Sequence, residues 1–138
     1  MSAPKVFISY SRDDTEWIRL FADALRRQHV EVWLDQWEIK PGESVQDALE
    51  AGLRQSDAIV VVVSRSNVRN PNVLFELGVA LGMGKRLIPI VSEDLETSLI
   101  PFDLRTRRYL LKGPPAQTAR EVASAVKESA QSGQPDSA

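Results

Sequence analysis

Six consecutive apolar residues, Ala58 to Val63 (AIVVVV), set the tightest limit on what this chain can fold into. An unbroken, largely β-branched run of that length has no polar face. A strand built from it must be covered on both sides, as in parallel sheets flanked by helices. Parallel strands need crossover connections, and the remaining sequence supplies them, because short apolar runs alternate with stretches of helical spacing. The chain has 138 residues, about one ordinary domain, which excludes a self-contained multidomain enzyme.

Lys5 to Ser9 (KVFIS) predicts a first strand, ended by the polar turn Tyr10 to Asp14. Thr15 can cap a helix in which Trp17, Ile18, Phe21 and Leu25 recur at helical spacing through about Gln28. Val30 to Leu34 reads as the second strand and stops at Asp35. Asp35 to Gly42 (DQWEIKPG) is a structured loop with Pro41-Gly42 as its turn. Ser44 then caps a helix carrying Val45, Leu49 and Leu53 inward. After the central run, Ser64 to Pro71 reads as a polar loop. Asn72 to Met83 reads as a helix with Leu74, Leu77 and Leu81 buried, and Leu87 to Val91 as a fourth strand. Beyond Val91 the signal weakens, and a short helix and irregular chain both fit the segment interrupted by Pro101. Tyr109 to Leu111 is a short fifth strand. Pro114-Pro115 precede a last helix, about Gln117 to Ser129, with Ala119, Val122 and Val126 inward. The domain is expected over residues 1–130, with 131–138 as a flexible tail or the start of a linker.

Apolar residues make up 43% of the chain and charged residues 26%, the composition of a packed domain. Seventeen Lys and Arg against nineteen Asp and Glu give a net charge of -2, without the excess of a general nucleic-acid or anionic-membrane binder. Arg105, Arg107 and Arg108 cluster without interleaved aromatics, so no nucleic-acid partner is expected. The absence of Cys and a single His, His29, exclude disulfides, cysteine nucleophiles and Cys/His zinc sites, and no metal site is expected. His29 falls at a helix-strand junction and reads as a surface residue. No apolar stretch approaches a membrane span, and MSAPKVFISY lacks the apolar segment of a secretory signal; a cytoplasmic location is the expectation. No GxGxxG follows the first strand, and Gly84-Lys85 lacks both the Ser or Thr and the glycine-rich loop of a phosphate-binding turn. Gly78, Gly82 and Gly84 read instead as close-packing and helix-ending positions.

In open parallel sheets ligands sit beyond the carboxyl ends of the strands. That edge would carry Ser9 to Asp14, Asp35 to Gly42, Ser64 to Asn72 and the segment from Ser92. Ser9, Tyr10, Ser11 and Arg12 leave the first strand there. Arg12 can meet a diphosphate bidentately or form a surface ion pair. Asp13 and Asp14 read as caps of the following helix, and Asp35 as a tie for its loop. Alternation assigns Trp33 to packing, whereas Trp37, in a polar loop, reads as an interface or ligand contact. Lys40 and Lys85 read as solvated.

Four blocks, FISYSRDD at Phe7 to Asp14, VWLDQWEIKPGES at Val32 to Ser44, SDAIVVVVSRSN at Ser56 to Asn67 and NPNVLFELGVALGMGKRLIPI at Asn70 to Ile90, together resemble a TIR domain of the bacterial type. The resemblance runs from about Pro4 to Leu111 in order and spacing. It implies a flavodoxin-like three-layer α/β/α sandwich with a parallel five-stranded sheet in the order 2-1-3-4-5. It also implies one of two activities: NAD glycohydrolase or cyclase chemistry at the nicotinamide-ribose bond, or non-enzymatic adaptor work through TIR-TIR contacts. The fold alone does not choose between them.

Glu76 matches the family's catalytic glutamate on the helix after the third strand, which contacts the ribose of NAD. Its position is rotated about 100° from Leu77, so it can face outward while the leucines pack inward. A carboxylate there could bond ribose hydroxyls and stabilise the cationic sugar as neutral nicotinamide leaves. Ser9, Tyr10, Ser11, Arg12, Asp35, Trp37 and Asn72 are the candidate NAD-binding residues, with NAD as substrate and no further cofactor. Enzymatic relatives commonly carry Trp where this chain has Asn72, one turn before Glu76. Asp35 to Gly42 matches a loop through which relatives form homo-oligomers or filaments with a composite NAD site, under a fused or separate sensor. The expected role is a bacterial anti-phage or signalling effector. A nucleoside deoxyribosyltransferase-like reading rests on NPNVLFELG but leaves the FISYS and LDQWEIKPG blocks unexplained. A response-regulator receiver would need an aspartate at the end of the third strand, where Ser64 follows Val63.

Overall fold

The computed structural model describes residues 3–10, 12–34, 41–42, 44–65, 84–99 and 109–132. Its strands are β1 (Lys5–Ser9), β2 (Glu31–Leu34), β3 (Ala58–Val63), β4 (Arg86–Val91) and β5 (Leu110–Leu111). Its α-helices, numbered among the described residues, are α1 (Thr15–Arg27), α2 (Val45–Gln55) and α3 (Pro115–Ser132). All strand pairs are parallel and the order is β2-β1-β3-β4-β5, the flavodoxin-like α/β arrangement. Strand boundaries follow the apolar runs within one residue, because in a buried parallel sheet the runs and the ladders coincide.

All six residues of β3 are buried, and their alternation divides them between two cores. Val60 and Val62 join Val6 and Ile8 of β1 against Phe21 and Leu25 of α1 and Val122 and Val126 of α3. Ile59, Val61 and Val63 join Phe7, Leu87, Val91 and Leu53 of α2 on the opposite face. Each such side chain contributes about 1.5–3 kcal/mol by leaving water. At the strand entrances, the Lys5 N–H donates to the Asp57 carboxylate at 2.8 Å and the Asp57 N–H donates to the Lys5 carbonyl at 2.7 Å.

The helix termini follow local chemistry with one shift. The Ser44 hydroxyl accepts from the Asp47 N–H at 3.3 Å and caps α2, as expected. Thr15, expected as a cap, is instead the first helical residue of α1, and Asp14 occupies the cap position. At the other end of α1 the His29 N–H bonds the Arg26 carbonyl at 3.0 Å and the Val30 N–H bonds the Leu25 carbonyl at 3.1 Å. Those two bonds form a Schellman ending in which exposed His29 takes the left-handed position, φ 64°. The Pro41-Gly42 turn forms with Gly42 at φ +89°.

Lys85 departs from its solvated reading. Its ammonium donates to the carbonyls of Arg54 at 3.0 Å and Ser56 at 2.7 Å, satisfying the carboxyl end of α2. Trp33 packs as expected, against Phe7 and the surface of α2 at Gly52. Among the described residues after Val91, Thr97–Leu99 form a 3-10 turn. The helix expected over residues 72–83 lies outside the described residues.

Candidate functional site

The carboxyl ends of β1, β3 and β4 and the chain leaving β5 form one edge of the sheet. Ser9 ends β1 in register with Val61, two residues before β3 itself ends. The hydroxyl of Ser9 is buried and has no hydrogen-bond partner among the described residues. Such a group ordinarily costs about 1–3 kcal/mol of stability. Tyr10 follows it, 4% exposed, and packs into the core shared with α1 and α3. Arg12 lies in the 3-10 turn Arg12–Asp14 that links β1 to α1.

Asp14 corrects the capping expectation. It stands at the N-terminal cap of α1, yet its side chain makes no capping hydrogen bond. Both carboxylate oxygens point elsewhere: Oδ1 accepts from the Lys112 ammonium at 2.8 Å, and Oδ2 from the Ser64 hydroxyl at 3.3 Å. The Asp14 side chain is 8% exposed and that of Lys112 22%, so the pair is largely withdrawn from water. Lys112 is fixed in turn by its N–H on the Val91 carbonyl at 2.9 Å. Its ammonium lies 5.3 Å from the Trp17 ring centroid, and the Trp17 indole donates to the Gly113 carbonyl at 2.9 Å. The Gly113 N–H bonds the Thr118 hydroxyl at 3.2 Å, closing the entry to α3.

Of the residues expected at the site, the structure brings Ser9, Tyr10 and Arg12 to the same edge. Ser11, Asp35, Trp37, Asn72 and Glu76 lie outside the described residues. The sequence reading gave no role to Lys112, which the structure pairs with Asp14. Its signal was position alone, a cation immediately after the last apolar strand. Among the described residues no three His, Cys, Asp or Glu side chains converge as a metal site, and no helix is long and apolar enough to cross a membrane. An open groove of about 610 Å³ lies between β4, β5 and α3. It begins at Arg86, the amino end of β4, away from the strand carboxyl ends, and mixes Arg86 and Arg120 with Glu121.

A family model described as the TIR domain matches residues 6–127. The chain is 36% identical over 101 residues to the 2′ cyclic ADP-D-ribose synthase BtTIR of Bacteroides thetaiotaomicron, covering 70% of this chain and 35% of that protein. It is 33% identical over 102 residues to the 2′ cyclic ADP-D-ribose synthase AbTIR of Acinetobacter baumannii, covering 70% of this chain and 38% of that protein. The chain thus spans little more than a third of the length of either relative. Among solved structures, a metazoan TIR-STING receptor from C. gigas superposes with a TM-score of 0.73 at 20% identity, over 88% of this chain and 38% of that one.

Proposed function

The chain belongs to the TIR domain family, and on that premise we propose that it is an NAD-cleaving effector domain with Glu76 as its catalytic residue. The observation that carries the proposal is the 36% and 33% identity to two bacterial 2′ cyclic ADP-D-ribose synthases, each over 70% of this chain. The bond between nicotinamide nitrogen and ribose C1 breaks with its electron pair leaving on nicotinamide, which departs neutral. The Glu76 carboxylate holds the ribose hydroxyls and stabilises the positive charge that develops on the sugar. Water then adds to C1 and loses a proton to give ADP-ribose, or a nucleophile of the same ADP-ribosyl unit adds to give a cyclic product. In this reading Ser9, Tyr10, Ser11, Arg12, Asp35, Trp37 and Asn72 line the NAD site, and the loop at residues 35–42 joins neighbouring copies in a homo-oligomer. The biological setting we propose is a cytoplasmic anti-phage or signalling response, triggered by a fused or separate sensor.

The test incubates concentrated wild-type protein and Glu76→Gln with NAD under crowding, following nicotinamide and ADP-ribose species by chromatography and assembly by light scattering. Nicotinamide release by the wild type alone is the expected result. Assembled wild type that leaves NAD intact would overturn the proposal in favour of a non-enzymatic TIR-TIR interaction module.

A further inference from the structure

We infer that Asp14 and Lys112 are positioning residues for the substrate edge, holding the turn that carries Ser9 to Arg12 in its working geometry; the inference rests on the NAD-cleaving reading above. Asp14 sits where an aspartate normally caps its own helix, yet it makes no such bond. Its two oxygens instead join Ser64 just past β3, at 3.3 Å, and Lys112 just past β5, at 2.8 Å. One carboxylate therefore links the chain leaving three strands at the edge where a flavodoxin-like sheet binds its ligand.

A largely buried ion pair is a poor device for stability alone, because desolvation of both ions offsets most of their attraction. Apolar replacement of such a pair is often neutral or stabilising. What the pair supplies is a fixed separation. The backbone N–H of Lys112 is held by the Val91 carbonyl, and its ammonium lies over the ring of Trp17, whose indole also holds Gly113. The ammonium is thus a fixed post to which Asp14, and with it the 3-10 turn Arg12–Asp14, is tied. Loss of the tie would let the β1–α1 turn shift against β3. Ser9 and Arg12 would bind substrate less well, whereas Glu76 belongs to a different connection, between β3 and β4 in sequence. Weakened binding of that uniform kind raises KM and spares kcat.

The experiment measures NAD binding by calorimetry, kcat and KM for nicotinamide release, and Tm, on the full chain and on Lys112→Met, Lys112→Arg and Asp14→Asn. The expected result is a roughly tenfold rise in KM for Lys112→Met and Asp14→Asn with kcat within about twofold of wild type. Lys112→Arg, which keeps the charge, should return KM to within about threefold of wild type. A fall in Tm with KM unchanged would assign the pair to stability and overturn the inference, as would a loss confined to kcat. Should Lys112→Met fail to fold, the isosteric Asp14→Asn carries the same test. If the wild type neither binds nor cleaves NAD, the NAD-cleaving reading itself fails and the inference with it. An active wild type with unchanged variants defeats the inference alone.

Discussion

Trp33 of β2 stacks on Phe7 of β1, its partner in register, with ring centroids 4.8 Å apart and planes inclined by 12°. The other side of the indole meets α2 so closely that a Cβ placed on Gly52 would stand 2.8 Å from Trp33 Cδ2 and Cε2. The glycine therefore serves the ring, since the helix itself would be better served by alanine.

Gly52→Ala is expected to destabilise the fold by about 1–2 kcal/mol, the overpacking penalty outweighing a helix-propensity gain of about 1 kcal/mol. A thermal melt should show Tm falling by roughly 3–8 °C. A rise would mean that the indole slides aside freely and that the stack does not set the β2–α2 spacing.

Ser9→Ala separates stability from binding at one atom. The buried hydroxyl has no partner among the described residues, so its removal should leave stability unchanged or raise it by about 1 kcal/mol. If Ser9 faces NAD as proposed, the same variant should raise KM severalfold. Equal KM values in the two proteins would remove Ser9 from the substrate site.

His29→Gly should stabilise by about 0.5–1 kcal/mol, because His29 is exposed and holds a left-handed φ of 64° that glycine adopts without strain. His29→Val, with branching at Cβ, should lose stability at the same position. Denaturant midpoints for the three proteins in the order Gly, His, Val would confirm that this ending of α1 is governed by backbone conformation. A different order would assign the imidazole a contact of its own.

The sheet was legible because its information is local: KVFIS and AIVVVV coincide with β1 and β3 residue for residue. The cap at Ser44 was legible for the same reason, and so was the inward stripe of Ala119, Val122 and Val126. Where the reading failed, the deciding partner was remote. Asp14 resembles a helix cap until Lys112, 98 residues away, claims its carboxylate. Lys85 resembles a solvated lysine until the end of α2, 29 and 31 residues earlier, offers two carbonyls. Propensity and periodicity carry no term for such meetings, which only the assembled sheet creates. The candidate site divides in the same way. Ser9, Tyr10 and Arg12 were placed at the edge by the strand that precedes them, whereas the tie formed by Lys112 depends on three strand exits arriving together.

The burial of β3 on both faces has a consequence for alignment. A strand with one wet face resists slipping by a residue, since every side chain would change sides and the apolar ones would meet water. β3 lacks that safeguard, for a slip would exchange one set of aliphatic side chains for another. What indexes it is the doorway, where Asp57 grips the Lys5 backbone through its own N–H and through its carboxylate, a two-point latch that only one offset of the two strands can close. A single acidic side chain outside the strand thus marks the offset in which Val61 faces Ser9, and with it the level at which Ser64 leaves the sheet.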